Sequence, residues 1–142
     1  MARSAPPPPD PDAGLWQGRS VARRLESPDG MIVLVGRTAS DNDLLSLKLA
    51  SPRDFWLHVA GQPGSHVVVR NPENLSRLPR ETLQFAAALA AGYSKAKAGG
   101  KVAVHVARAS DVSKPRGYAP GKVALRRYET VMARPLQQGE VS

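Results

Sequence analysis

At 142 residues the chain is long enough for one domain with a modest core and short for two. It has no cysteine, which excludes disulfides, thiolate metal sites and cysteine nucleophiles and suits a cytoplasmic setting. A formal net charge of +8 favours an anionic partner, and the frequent interruption of apolar stretches, with an N-terminus running into proline and aspartate, argues against a signal peptide or a membrane span.

Residues 1–13 include Pro6 to Pro9 and Pro11 with little to bury, and read as a disordered, polyproline-like arm preceding a domain over 14–136. Two strands between Val21 and Val35 flank Ser27-Pro28-Asp29-Gly30, whose proline and glycine suit a hairpin turn. Ser40 and Asp43 resemble a capping box, so a short helix is expected through Leu49, ended before Pro52. Asp54 to Val59 and Ser65 to Val69 read as strands around the Pro63-Gly64 turn. Because residues two apart share a strand face, Asp54, Trp56 and His58 project together while Phe55, Leu57 and Val59 face the other way.

A long helix is predicted from about Arg80 to Lys97, with Leu83, Ala86, Ala87, Ala90 and Ala91 on its apolar face and Leu89 and Tyr93 alongside. Gly99-Gly100 breaks the chain before an alternating strand, Lys101 to Arg108. Short strands follow at Lys122 to Leu125 and Glu129 to Ala133, and 137–142 is a frayed tail. The predicted class is α+β: a small mixed or antiparallel sheet packed against one long alanine-rich helix and one short helix.

The charge is uneven. From Lys95 to Arg127 there are nine basic residues and one acid, Asp111, while the rest of the chain is balanced. Such a segment suits phosphate contacts on one surface, against the plainer reading of a solvated basic surface. Tyr118 lies among these cations, beside Arg116, and is placed to stack on a base. Trp56 has two readings: core, with its indole N–H partnered and Asp54 and His58 ordered around it, or an exposed stacking platform.

Asp54, His58, His66 and His105 are the residues with which an enzyme or metal site would begin. Only three histidines are present, however, none in an i,i+4 ligand motif, and Pro-Gly-Ser-His lacks the Gly-x-Ser-x-Gly elbow. The glycines form no phosphate-binding fingerprint, so neither a cofactor nor a metal is expected.

Together, Gly36-Arg37 through Asn42-Asp43, Asp54-x-Trp56-x-His58, Pro63-Gly64-Ser65-His66 and Ser113 to Val123 resemble NFACT-R, the RNA-binding domain of the NFACT proteins, over roughly Gly30 to Pro135. The resemblance implies a stand-alone RNA-binding module whose larger kin act in ribosome-associated quality control, binding tRNA and the large ribosomal subunit. It places Asp54, Trp56 and His58 at the family's Asp-x-Trp-x-His position and Lys114 in its basic loop, where Ser113 replaces one of a common lysine pair. The RNA-binding residues expected are Arg37, Asn42, Asp54, Trp56, His58, Ser65, His66, Lys114, Arg116, Tyr118 and Lys122. The partner expected is tRNA, rRNA or a ribosome-associated complex. The alternatives are an RNA-processing or RNA-modifying enzyme using Asp54, His58 and His66, and an adaptor docking an acidic protein.

Overall fold

A computed structural model describes residues 5–136; the first four residues and the expected frayed tail at 137–142 lie outside them. Beyond the exposed prolines, Pro11–Ala13 forms a 3-10 turn. It is fastened to the domain by Arg24, whose Nε donates to the Asp12 carbonyl (3.1 Å), and by Arg70, whose Nε donates to the Asp12 carboxylate (3.0 Å). A two-stranded ribbon follows, β1 (Leu15–Trp16) and β2 (Arg19–Ser20).

The expected hairpin forms from β3 (Ala22–Glu26) and β4 (Ile32–Gly36), and Gly30 N–H donates to the Ser27 carbonyl at 2.8 Å across the turn. Helix α1 (Ala39–Leu44) is capped by Thr38, whose Oγ1 accepts from Asp41 N–H at 3.1 Å. The cap therefore lies two residues before Ser40, the position expected from the sequence. The helix continues into a π-helical turn, Leu45–Leu49, closed by Ala50 N–H on the Leu45 carbonyl.

Next come β5 (Phe55–Val59), β6 (Val67–Val69), α2 (Arg80–Gly92) and β7 (Val102–Arg108). The last elements are a second short ribbon, β8 (Val112–Ser113) with β9 (Ala124–Leu125), and finally β10 (Glu129–Ala133). Helix α2 stops at Gly92 instead of reaching Lys97. Ser94 Oγ donates to the Ala91 carbonyl (2.6 Å), and Ser94 forms a β-bridge with Gly64, so the chain leaves the helix to join the 60–65 loop.

Six strands build one antiparallel sheet in the order β10-β7-β5-β6-β4-β3, so the class is α+β as expected. Side-chain alternation divides the core between its two faces. Val33, Val35, Phe55, Leu57, Val67, Val69 and Val104 pack beneath the alanine face of α2, where small side chains allow close approach of helix to sheet. On the other face Leu34, Trp56 and Val68 meet Leu45 and Leu49 of the π-helical turn, with Val112 from β8. Both faces are covered, which explains why β6 is an unbroken run of buried valines.

Candidate nucleic-acid interface

The alternation expected for β5 holds: Phe55 and Leu57 point towards α2, and Trp56 points the other way. Trp56 is core, with only 2% of its surface exposed. Its indole Nε1–H donates to Ser46 Oγ (2.9 Å), and Ser46 Oγ lies 2.7 Å from His66 Nδ1. His66 Nε2 is 2.9 Å from the Gly121 carbonyl, which only accepts, so Nε2 carries the proton and Nδ1 accepts from the Ser46 hydroxyl. The donors thus run in one sense from Trp56 through Ser46 to His66 and on to Gly121.

Burial holds His66 in its neutral form, pushing its pKa down to about 4. Neighbouring His58 adds to that effect, while the Gly121 carbonyl and Asp43 oppose it and Lys114 lowers it further. His58 stacks on Trp56 with ring centroids 5.8 Å apart. Its pKa is also lowered, first by burial and then by His105, its partner across β7, while the Gly64 carbonyl pulls it back up.

Asp54 does not share this network. Its carboxylate accepts from Ser51 N–H and Asn71 N–H, both at 2.8 Å, and from the Arg70 guanidinium. It ties the turn before β5 to the turn after β6. Asn42 is likewise internal: its Oδ1 accepts from His66 N–H at 3.0 Å. A Cβ at Gly36 would overlap that Oδ1, which is why glycine ends β4.

Lys114, expected in the phosphate-binding loop, turns its ammonium inward. It donates to Asp43 Oδ1 (3.3 Å), to the Lys122 carbonyl (2.7 Å) and to the Ala119 carbonyl, and lies 3.2 Å from Asp43 Oδ2 as an ion pair. Gly121 N–H adds a bond to Asp43 at 3.2 Å. The loop from 114 to 122 is therefore tied to α1 from below. Arg116 and Tyr118 remain exposed on it, with the Lys122 ammonium 5.0 Å from the Tyr118 ring centroid.

Above this framework lies an open groove of about 960 Å³. One wall is Arg37 with the first turn of α1; another is the 61–65 loop, including Ser65; a third is formed by Tyr93, Ser94, Lys95 and Lys97 just beyond α2; Gly121 and Lys122 close it, and His58 reaches it from the sheet. The walls are pinned together by Ser65 N–H on the Tyr93 carbonyl and Lys95 N–H on the Pro63 carbonyl, both 2.9 Å. Gly64 permits that approach, since a Cβ there would sit 2.7 Å from Ser94 Cβ. Among the described residues, four cations line the groove and no carboxylate does.

Residues 22–127 match a family model described as the NFACT protein RNA binding domain. The chain belongs to that family. It is 37% identical over 115 residues to the Rqc2 homolog RqcH of Bacillus subtilis (81% of this chain, 20% of the relative). The RqcH of Streptococcus suis is 36% identical over 121 residues (84% and 21%), and the Drosophila melanogaster ribosome quality control complex subunit NEMF homolog is 33% identical over 70 residues (49% and 7%). The chain thus spans about a fifth of the length of the RqcH relatives. Among solved structures it superposes with a TM-score of 0.78 and 34% identity on the C-terminal part of the fibronectin/fibrinogen-binding protein from Streptococcus suis, covering 87% of this chain and 48% of that one.

Seen as an NFACT RNA binding domain, the chain has its Asp-x-Trp-x-His residues mostly inside. Asp54, Trp56, His66 and Asn42 are buried, whereas Arg37, His58, Ser65 and Lys122 reach the groove, with Arg116 and Tyr118 on the loop that borders it. Sequence reasoning did not single out Ser46, the junction of the network, or Lys95 and Lys97 as groove residues. A small polar residue on the apolar side of Leu45 and Leu49 was the available signal for Ser46. The two lysines were visible only as charge, because the early end of α2 is what turns them to the groove. Asp54 makes no hydrogen bond to either His58 or His66, and among the described residues no group of three or more His, Asp or Glu side chains gathers as a metal site.

Proposed function

We propose that this domain binds RNA in the groove between Arg37, the 61–65 loop, the end of α2 and Lys122, and that it does so within ribosome quality control, on tRNA or rRNA, without chemistry of its own. The observation that carries the reading is four cations, Arg37, Lys95, Lys97 and Lys122, in an open groove whose lining includes no acid among the described residues. Phosphates bound there release condensed counterions, which supplies affinity without reading sequence. Neutral His58 offers hydrogen bonding and a ring edge to a base or a ribose hydroxyl at the groove floor. In this reading Asp54, Trp56, His66, Asn42 and Lys114 act indirectly, holding the walls at their spacing. The RqcH and NEMF relatives bring the ribosome quality control setting.

The test is a filter-binding titration over a salt series. Lys95→Ala with Lys97→Ala should weaken binding to unrelated RNAs about equally and reduce the slope of log affinity against log salt by roughly one to two units. Arg116→Ala, outside the groove lining, serves as the comparison. An unchanged slope in the lysine double variant would place the RNA elsewhere.

A further inference from the structure

At the opposite end of β5 lies a second groove, of about 490 Å³. Its floor is apolar: Phe55 at the start of β5, Leu83 on the first turns of α2, Val106 of β7 and Val131 of β10. Around it stand Arg77, Arg80 and Arg127, all exposed, and among the described residues none of the three is in an ion pair. Two acids also line it, but Asp111 is paired with Arg126 at 2.8 Å, which leaves Glu129 as the one opposing charge among the described residues.

Arg108 fixes the inner end of the groove. Its guanidinium donates to the carbonyls of Arg53 (2.8 Å), Leu75 (2.8 Å) and Ser76 (3.1 Å) and lies 4.3 Å from the Phe55 ring centroid. Carbonyls orient this cation without neutralising it. The groove therefore combines an apolar floor with an excess of guanidinium groups, whose forked donors match carboxylates.

A polypeptide satisfies both demands, because in an extended segment apolar and acidic side chains alternate at close spacing. A nucleic acid satisfies only the charge. Phe55, the aromatic residue of the floor, is covered by Arg108, so the floor offers a base no free aromatic face; Tyr128 stands at the rim, 53% exposed and tilted against His105 with centroids 4.4 Å apart. We propose that this groove docks an extended acidic and apolar segment of a partner protein, separately from the cationic groove at the other end of the sheet.

The probe is a fluorescein-labelled peptide of about ten residues alternating leucine and glutamate, titrated against the whole chain by anisotropy. Replacing its leucines with serine should weaken binding about tenfold or more, as loss of apolar anchors does. The double charge reversal Arg80→Glu with Arg127→Glu changes two exposed side chains, so its melting temperature should match the parent while peptide affinity falls about tenfold or more. Amide shifts on peptide addition should centre on Leu83, Val106 and Val131. The Lys95→Ala, Lys97→Ala variant should bind peptide normally, so failure of the RNA groove leaves this result standing. The proposal is overturned by no binding, by equal binding of the serine peptide, by unchanged peptide affinity in the Arg80, Arg127 variant, or by amide shifts elsewhere. A single-stranded RNA that displaces the peptide and loses affinity in the Arg80, Arg127 variant would reassign the groove to nucleic acid.

Discussion

His66 is a base kept neutral by its surroundings, and this links its network to pH. In the unfolded chain it titrates near the ordinary 6.5 and in the folded domain near about 4. Between those values the unfolded state binds the extra proton, so the contribution is fully present above pH 6.5 and is lost as the pH falls through 4. The shift corresponds to about 3 kcal/mol. Denaturant melts between pH 7 and 4 should show that loss in the parent and a shallower one in His66→Gln, the difference removing the acids common to both. Parallel profiles would disprove the assignment. At this scale the sequence was legible in direction and not in depth. Alternation placed Trp56 and His58 on one face of β5, but nothing in the pattern reveals what covers that face, and Trp56 proved to be core because the π-helical turn lies over it. The inward turn of Lys114 is not legible for a related reason: a lysine in a loop rich in glycine and proline reads as solvated, and the carbonyls that bind it come from the path of the loop itself.

The 114–122 loop is an element without regular structure, held by the Lys114 ammonium, the His66 imidazole and the Gly121 N–H bond to Asp43. Lys114→Ala removes the donor that joins Asp43 to two loop carbonyls and should cost about 1 to 2 kcal/mol, a charged hydrogen-bond set discounted for partial exposure. RNA affinity should fall as Lys122 loses its position, yet the salt slope should stay at the parental value because no phosphate contact is deleted. A slope lower by about one would show Lys114 meeting phosphate directly. Regular elements were far more legible. The β3–β4 hairpin, β5, β7, β10 and the apolar face of α2 all follow from period and turn chemistry. The exceptions are informative. Ribbon β1–β2 is too short to show a period, and the end of α2 is decided by the partnership of Ser94 with Gly64, thirty residues away, which no local propensity encodes.

The two grooves stand at opposite ends of β5, where the residues that line them, Phe55 and His58, are separated by roughly 10 Å at about 3.3 Å per residue. The screening length at 0.15 M salt is about 8 Å, so charges at one end are largely hidden from the other. Arg80→Glu with Arg127→Glu should therefore change RNA affinity less than about twofold at that salt while doing so visibly at low salt. A large effect at 0.15 M would mean that one RNA path covers both ends. The basic segment from Lys95 to Arg127 is thus divided in space: Lys95, Lys97 and Lys122 face one groove, while Arg108 and Arg127 face the other. Strand order has a consequence of a different kind. The first four strands of the sheet, β3 to β6, are contained within residues 22–69, but β5 gains its second neighbour only when β7 arrives beyond α2, with His105 opposite His58. During synthesis from the N-terminus, β5 must wait as an open edge, with Phe55 and Leu57 uncovered, until α2 and β7 have been made. Closure across so long an intervening segment is slow, and in that interval the exposed edge is the place where a nascent chain is most open to a chaperone or to pairing with another strand.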